Sequence, residues 1–204
     1  MKSISFAIFI FLFAGWQFAC SNIADTQILK PTPTPPPTPP IIANKFAYPI
    51  GKTETSTAAK DTKDEWYNAL EFGENDHLGE DWNKNSGGNT DCGEAVFAIA
   101  PGRVVFAENA GSGWGNVIII EHELADGTRI ESLYGHLRKI LKRDGEVKLR
   151  EQIGEVGNAD GRYLCHLHLE LRTETCPMWN QVGGGYSAER NGWLNPSDFI
   201  DKHR

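Results

Sequence analysis

From position 165 to position 172 the chain alternates apolar and polar residues without a break. Leu167, Leu169 and Leu171 fall on one face of a strand, and His166, His168, Glu170 and Arg172 on the other. Two histidines two residues apart on a strand lie roughly 6.6 Å apart along it and point the same way. One can bind a metal while its neighbour reaches whatever the metal holds. A half-buried strand with two solvated histidines has the same pattern, so the motif alone does not choose. Further strand candidates are 95–99, 103–107, 117–122 and 129–134, with shorter ones at 146–148 and 152–156. Turn signals separate them: Pro101-Gly102, Asn109-Ala110-Gly111, Asp126-Gly127, Asp144-Gly145 and Asp160-Gly161. The segment 61–70 reads as one short helix, and Trp193 to Ile200 as a closing loop and turn. Short, regularly spaced strands without long amphipathic helices predict a mainly β, antiparallel domain with short loops and little helix.

The N-terminal pattern differs. Met1-Lys2 is followed by an almost wholly apolar run from Ile4 to Ala14, too short to span a bilayer comfortably and typical of a secretory signal. Phe18-Ala19-Cys20-Ser21 resembles a bacterial lipoprotein signal, in which the cysteine is lipidated, although Gln17 stands where an apolar residue is usual. Residues 31–40 are only proline and threonine, which excludes helix and interior strand. They read as a polyproline II spacer roughly 30 Å long. The expected organisation is a signal peptide at 1–19, a Pro-rich linker or stalk at 20–44 and a catalytic-type domain at 45–204, exported and held to a membrane by lipid on Cys20.

Charge narrows the partners. The chain carries a formal net charge of −7. Removal of residues 1–19 takes away one Lys and no acid, giving −8. There is no basic excess to neutralise phosphates, which argues against nucleic acid. Beyond Cys20, the cysteines are Cys92, Cys165 and Cys176. The strand leaving Cys165 runs about 23 Å to Arg172, so a return to Cys176 within bonding reach is difficult. Any bridge is expected to involve Cys92; three buried free thiols are the alternative. The Asn-, Gly- and Asp-rich stretch 83–93 fits no calcium loop and reads as a flexible cleft-edge loop. Trp66, Trp82, Trp114, Trp179 and Trp193 are mostly expected in the core, with Trp82, directly after Asp81, the best groove candidate.

The candidate chemistry lies in three fragments. His77-Leu78-Gly79-Glu80-Asp81 places a histidine and a carboxylate four apart around a glycine, His136 follows a strand, and His166 and His168 complete the set. A catalytic zinc takes three protein ligands and keeps one open position. His77, Asp81 and one of the strand pair supply that number, leaving the other histidine and His136 beside the metal. His122 and His203 have no such partners and are assigned to packing and to the tail.

From Asn75 to Glu174 the chain resembles the lysostaphin-type (LytM) zinc endopeptidases. The shared features, in order, are His77-x-x-x-Asp81, the Ala95 to Val105 strand and glycine turn, Gly115 to His122, Tyr134-Gly135-His136-Leu137 and His166-x-His168. The resemblance implies that fold, zinc (Zn2+) bound by His77, Asp81 and His168, catalytic histidines at His136 and His166, and cleavage of peptide cross-links in bacterial peptidoglycan. The chain departs from the pattern at Leu164-Cys165, at Arg150-Glu151 and at Leu169, which bears on substrate preference. Two alternatives remain: a non-catalytic peptidoglycan-binding or amidase-activating module on the same fold, and a D-amino-acid dipeptidase or carboxypeptidase. The latter usually supplies a Glu-x-x-His as part of its site.

Overall fold

A computed structural model describes residues 41–52, 65–111 and 113–204. The signal peptide, Cys20 and the proline-rich stretch 31–40 lie outside the described residues. Within them the strands, in chain order, are β1 Trp66–Leu70, β2 Glu80–Lys84, β3 Ala95–Phe97, β4 Gly102–Asn109, β5 Asn116–Glu123 and β6 Arg129–Leu137. They continue as β7 Lys139–Ile140, β8 Glu146–Val147, β9 Gln152–Glu155, β10 Leu167–Thr173 and β11 Trp193–Leu194, before the closing helix α1 Pro196–His203. The large sheet runs β1-β2-β10-β6-β5-β4-β8, with β11 also on β10, and a small sheet runs β3-β9-β7. The named strand pairs are antiparallel, as the alternation predicted.

Both faces of the central strands are covered, which is why β5 reads as a near-continuous apolar run. Ile118 and Ile120 enter the main core; Val117 and Ile119 join Leu133 in a smaller cluster on the other face, with Trp114 and Val182 packed on it. The main core also takes Phe46, Tyr48 and Ile50 from the segment before β1, and Ile200 from α1. Arg150 secures that segment, donating from its guanidinium to the carbonyls of Tyr48, Ile50 and Gly51.

Three expectations are corrected. Residues 66–70 of the expected 61–70 helix form edge strand β1, paired with β2; residues 61–64 lie outside the described residues. The closing turn is instead helix α1, with Pro196 in its first turn and the Asn195 side chain accepting from the Asp198 N–H at 3.0 Å. The stretch 83–93 begins as strand (Asn83, Lys84 in β2) and its remainder is anchored: Asp91 is 1% exposed and Cys92 is bridged to Cys165. That bridge bears out the expectation that Cys92 would take part, and Cys176 is a buried free thiol.

Candidate metal centre

The register of the sheet assembles the site. On β10, His168 lies opposite Asp81 of β2 on one side and Gly135 of β6 on the other. The alternation that sends His168, Glu170 and Arg172 to this face sends Leu169 and Leu171 to the core. The same alternation on β2 puts Asp81 in the site and turns Trp82 away. Trp82 is fully buried against Tyr48, with ring centroids 5.1 Å apart, so the groove assignment for it is wrong. Adjacent residues on a strand cannot share a face. The tryptophan that lines the cleft is Trp114. It lies over Gly135, where a Cβ would stand 3.0 Å from the indole, and it donates from Nε1 to the Gly183 carbonyl.

His77 precedes β2 and is held through an isolated bridge to Tyr186. Its Nε2 is 3.0 Å from His168 Nδ1 and 3.4 Å from Asp81 Oδ1, and His168 Nδ1 is 3.0 Å from the same carboxylate oxygen. Donors about 2.0–2.1 Å from one tetrahedral centre lie about 3.3 Å apart, so these three atoms fit a single small cation. Gly79 makes the convergence possible: a Cβ there would lie 2.9 Å from His168 Nε2 and would also strike the Leu169 carbonyl. His77 and His168 are buried, and Asp81 opens partly to the cleft.

Behind the donors lies a chain of buried charges that the sequence reading left unassigned. His168 Nε2 is 3.0 Å from Glu170 Oε1. Glu170 also accepts from Arg172 Nε and Nη2 (2.8 and 2.7 Å) and from Trp193 Nε1 (2.8 Å). Arg172 reaches Glu131 at 3.0 Å and donates to the carbonyls of Met178, Gln181 and Val182. Glu131, Glu170 and Arg172 are fully buried. The alternation had put Glu170 and Arg172 on the polar face. What it does not convey is that a loop covers that face, so each polar group there needs a partner.

This network sets the protonation of the site. Burial alone would lower the His168 pKa, but hydrogen bonds and charge from Asp81 and Glu170 outweigh it and raise it to about 9. Burial raises the Asp81 carboxyl, yet His168 and His77 together hold it well below the usual carboxylate range. Glu170 as acceptor at Nε2 leaves Nδ1 as the atom of His168 that a metal would take, at the expense of its proton.

His136 and His166 complete the cleft. Their ring centroids are 4.6 Å apart, and those of His136 and His168 are 5.6 Å apart. His136 sits at the end of β6 with φ 61°, in the left-handed region, which turns its ring toward the metal donors. Its Nδ1 is 3.2 Å from the Trp114 carbonyl, and the Nδ1 of His166 is 2.8 Å from the Leu164 carbonyl. A carbonyl only accepts, so both Nδ1 atoms carry hydrogen, and in a neutral ring the lone pair is then on Nε2. Burial, with the charge of nearby His168, lowers the His136 pKa to about 3, so this ring is neutral at pH 7. Gly157 lets the two histidine segments meet: a Cβ there would strike the backbone from His136 to Arg138, while its carbonyl accepts from the His166 N–H at 3.1 Å. Trp114, Tyr163 and Tyr186 wall the cleft, and Gly113, Gly184 and Gly185 leave it open. All five site residues expected from the sequence therefore meet in one place.

The model for peptidase family M23 matches residues 76–180, a span that contains all five. The murein hydrolase activator NlpD of Salmonella dublin is 34% identical over 160 residues, 78% of this chain and 40% of that protein. Outer membrane antigenic lipoprotein B of Haemophilus influenzae is 43% identical over 81 residues, 39% of this chain and 19% of that protein. Among solved structures, the antimicrobial peptidase lysostaphin from Staphylococcus simulans aligns with TM-score 0.44 at 25% identity, covering 62% of this chain and 45% of that one. The chain spans less than half the length of each of these three relatives. With a family match over half of its own length, enclosing every residue of the site, the chain belongs to peptidase family M23.

Proposed function

We propose that this chain is a zinc-dependent endopeptidase that hydrolyses peptide cross-links of bacterial peptidoglycan. The observation that carries the reading is the complete donor set of His77, Asp81 and His168, with the imidazole rings of His136 and His166 beside it. Zinc held by these three would polarise the scissile carbonyl and lower the pKa of a bound water toward about 7. The chain's own groups handle the proton. With Nδ1 committed to a carbonyl, the Nε2 of His136 or His166 can take a proton from the attacking water and return it to the departing amine. The ring that has gained the proton becomes a donor, able to hydrogen-bond the developing oxyanion. Trp114, Tyr163 and Tyr186 hold the peptide strand against this edge. Export, a lipid on Cys20 and a stalk at 20–44 would bring domain 45–204 to the wall; the lipoprotein name of the Haemophilus relative supports an envelope location.

The activator name of the Salmonella relative favours a second reading, in which the same domain binds the wall and stimulates another hydrolase. One experiment separates the two. Purified chain with zinc is incubated with peptidoglycan and new amino groups are counted, with chelator and with His136→Ala or His166→Ala as controls. The endopeptidase reading expects release with zinc alone, and a loss of roughly 10²- to 10⁴-fold in the two variants with metal retained. Intact cross-links in the presence of bound zinc, together with faster digestion when a separate murein hydrolase is added, would overturn it in favour of the activator.

A further inference from the structure

We propose that the Cys92–Cys165 disulfide is a positioning device for His166, acting on catalysis while leaving metal binding untouched; the catalytic part of this rests on the endopeptidase reading above. The two histidines of the His-x-His motif are held by different means. His168 lies within the ladder, paired with β2 and β6, and its ring is fixed by Asp81 and Glu170. His166 precedes the first residue of β10. Its N–H is held by the Gly157 carbonyl, and its ring donates to the Leu164 carbonyl at 2.8 Å with Nε2 3.7 Å from Asp81, while Leu164 itself is 61% exposed with no core to seat it.

Cys165, between them, is 2% exposed and anchored from three directions. Its sulfur is bonded to Cys92, its N–H donates to Asn89 Oδ1 at 2.9 Å, and its carbonyl accepts from Asn83 Nδ2 at 3.2 Å. The 85–94 loop that supplies Cys92 and Asn89 is itself tied down. Asp91 Oδ2 accepts from Asn83 Nδ2 and the Lys84 N–H, and the Gly93 N–H donates to the Val156 carbonyl at 2.8 Å. The bridge thus passes the rigidity of β2 and β9 to the residue beside Leu164. It thereby fixes the carbonyl that sets which nitrogen of His166 carries hydrogen. It also seats Tyr163, whose ring centroid is 5.2 Å from that of His136 and 5.8 Å from that of His166. Without the bridge, the Leu164 carbonyl loses its fixed place and His166 loses its single tautomer and aim.

The test uses the Cys92→Ala/Cys165→Ala double variant with zinc loaded, and reads three quantities: zinc affinity by chelator competition, the kcat and KM for a cross-linked muropeptide, and the ring ¹⁵N resonances of His166. Expected are unchanged zinc affinity, a kcat reduced roughly 10- to 100-fold as for a slightly misplaced catalytic group, and a His166 ring that passes from one Nδ1–H tautomer to a mixture. Unchanged kcat with an unchanged ring pattern would overturn the proposal, as would a loss of zinc in step with activity. Should the wild type prove inert on peptidoglycan, the endopeptidase reading fails by itself and the ring pattern still decides the positioning role. Should the double variant not fold, Asn89→Ala, which keeps the bridge and removes one anchor of Cys165, is expected to shift the same resonances partway; no shift there would also overturn the proposal.

Discussion

Two buried histidine clusters sit in the same sheet, and their difference shows what makes a histidine chemically useful here. His168 is 3% exposed and His122 is 0% exposed. His122 Nε2 is 2.8 Å from Ser132 Oγ, that oxygen is 3.0 Å from Tyr134 Oη, and His122 Nδ1 is 2.9 Å from the Pro101 carbonyl. A serine–histidine pair of this kind would suggest a nucleophile if it opened on a cleft. It is sealed in the fold and touches no carboxylate among the described residues. Burial therefore prevails and lowers the His122 pKa to about 4, whereas Asp81 and Glu170 raise that of His168 to about 9. Equal burial gives opposite charge states because only one ring has anions within hydrogen-bond reach.

The comparison can be broken most strongly at the donors. Asp81→Ala, His77→Ala or His168→Ala is expected to abolish zinc binding and peptidoglycan hydrolysis together, measured by metal analysis and amino-group release. Retained zinc in His168→Ala with loss in His166→Ala would reverse the roles of the pair. His122→Gln should leave zinc affinity unchanged, and a fall there would mean that the two clusters are coupled.

Glu170→Gln comes next. It removes the anion that fixes His168 and is expected to lower zinc affinity about 10- to 100-fold. It also takes one carboxylate from buried Arg172, for which about 2–4 kcal/mol of stability is expected to be lost in denaturant melts.

The sealed cluster makes a smaller prediction, in pH. A histidine with a folded pKa of about 4 binds its proton more readily when unfolded. Stability is therefore lost as pH falls from about 6.5 to 4, by on the order of 3 kcal/mol in all. His122→Gln should lack this component, so wild type and variant compared by urea titration at pH 7 and pH 4.5 should diverge on the acid side. Parallel curves would show that His122 is not the neutral buried ring described.

Glu80 has the reverse sign. Burial raises it to about 7 despite hydrogen bonds from the Ser197 hydroxyl and N–H. Its folded form holds a proton that the unfolded chain has released, so stability falls as pH rises from about 4.5 to 7. Glu80→Gln keeps a donor and an acceptor for Ser197. It is expected to gain on wild type by on the order of 2 kcal/mol between pH 5 and pH 8.

Much of this was readable from residue order. Alternation at 165–172 and the short spaced strands pointed to an antiparallel sheet, and with the His-x-x-x-Asp fragment they singled out the five candidate residues that the fold brings together, because strand periodicity and ligand chemistry are local properties. The same periodicity, applied to β2, would have removed Trp82 from the groove. The Asn195-Pro196 start of α1 was likewise a legible cap. Edge strand β1 was not legible, because its pairing with β2 decided its form over local preference.

What the sequence determined alone is which side chains can share a face and which can bind a metal. Only the tertiary structure decided which faces are sealed. Burial of Glu170, Arg172 and Glu131 under the 178–182 loop turned a polar strand face into the support of a candidate metal site. Closure over His122 made a serine–histidine pair inert. Solvent exclusion and the number of anions within reach are properties of packing between distant segments, and those set the charge on each histidine.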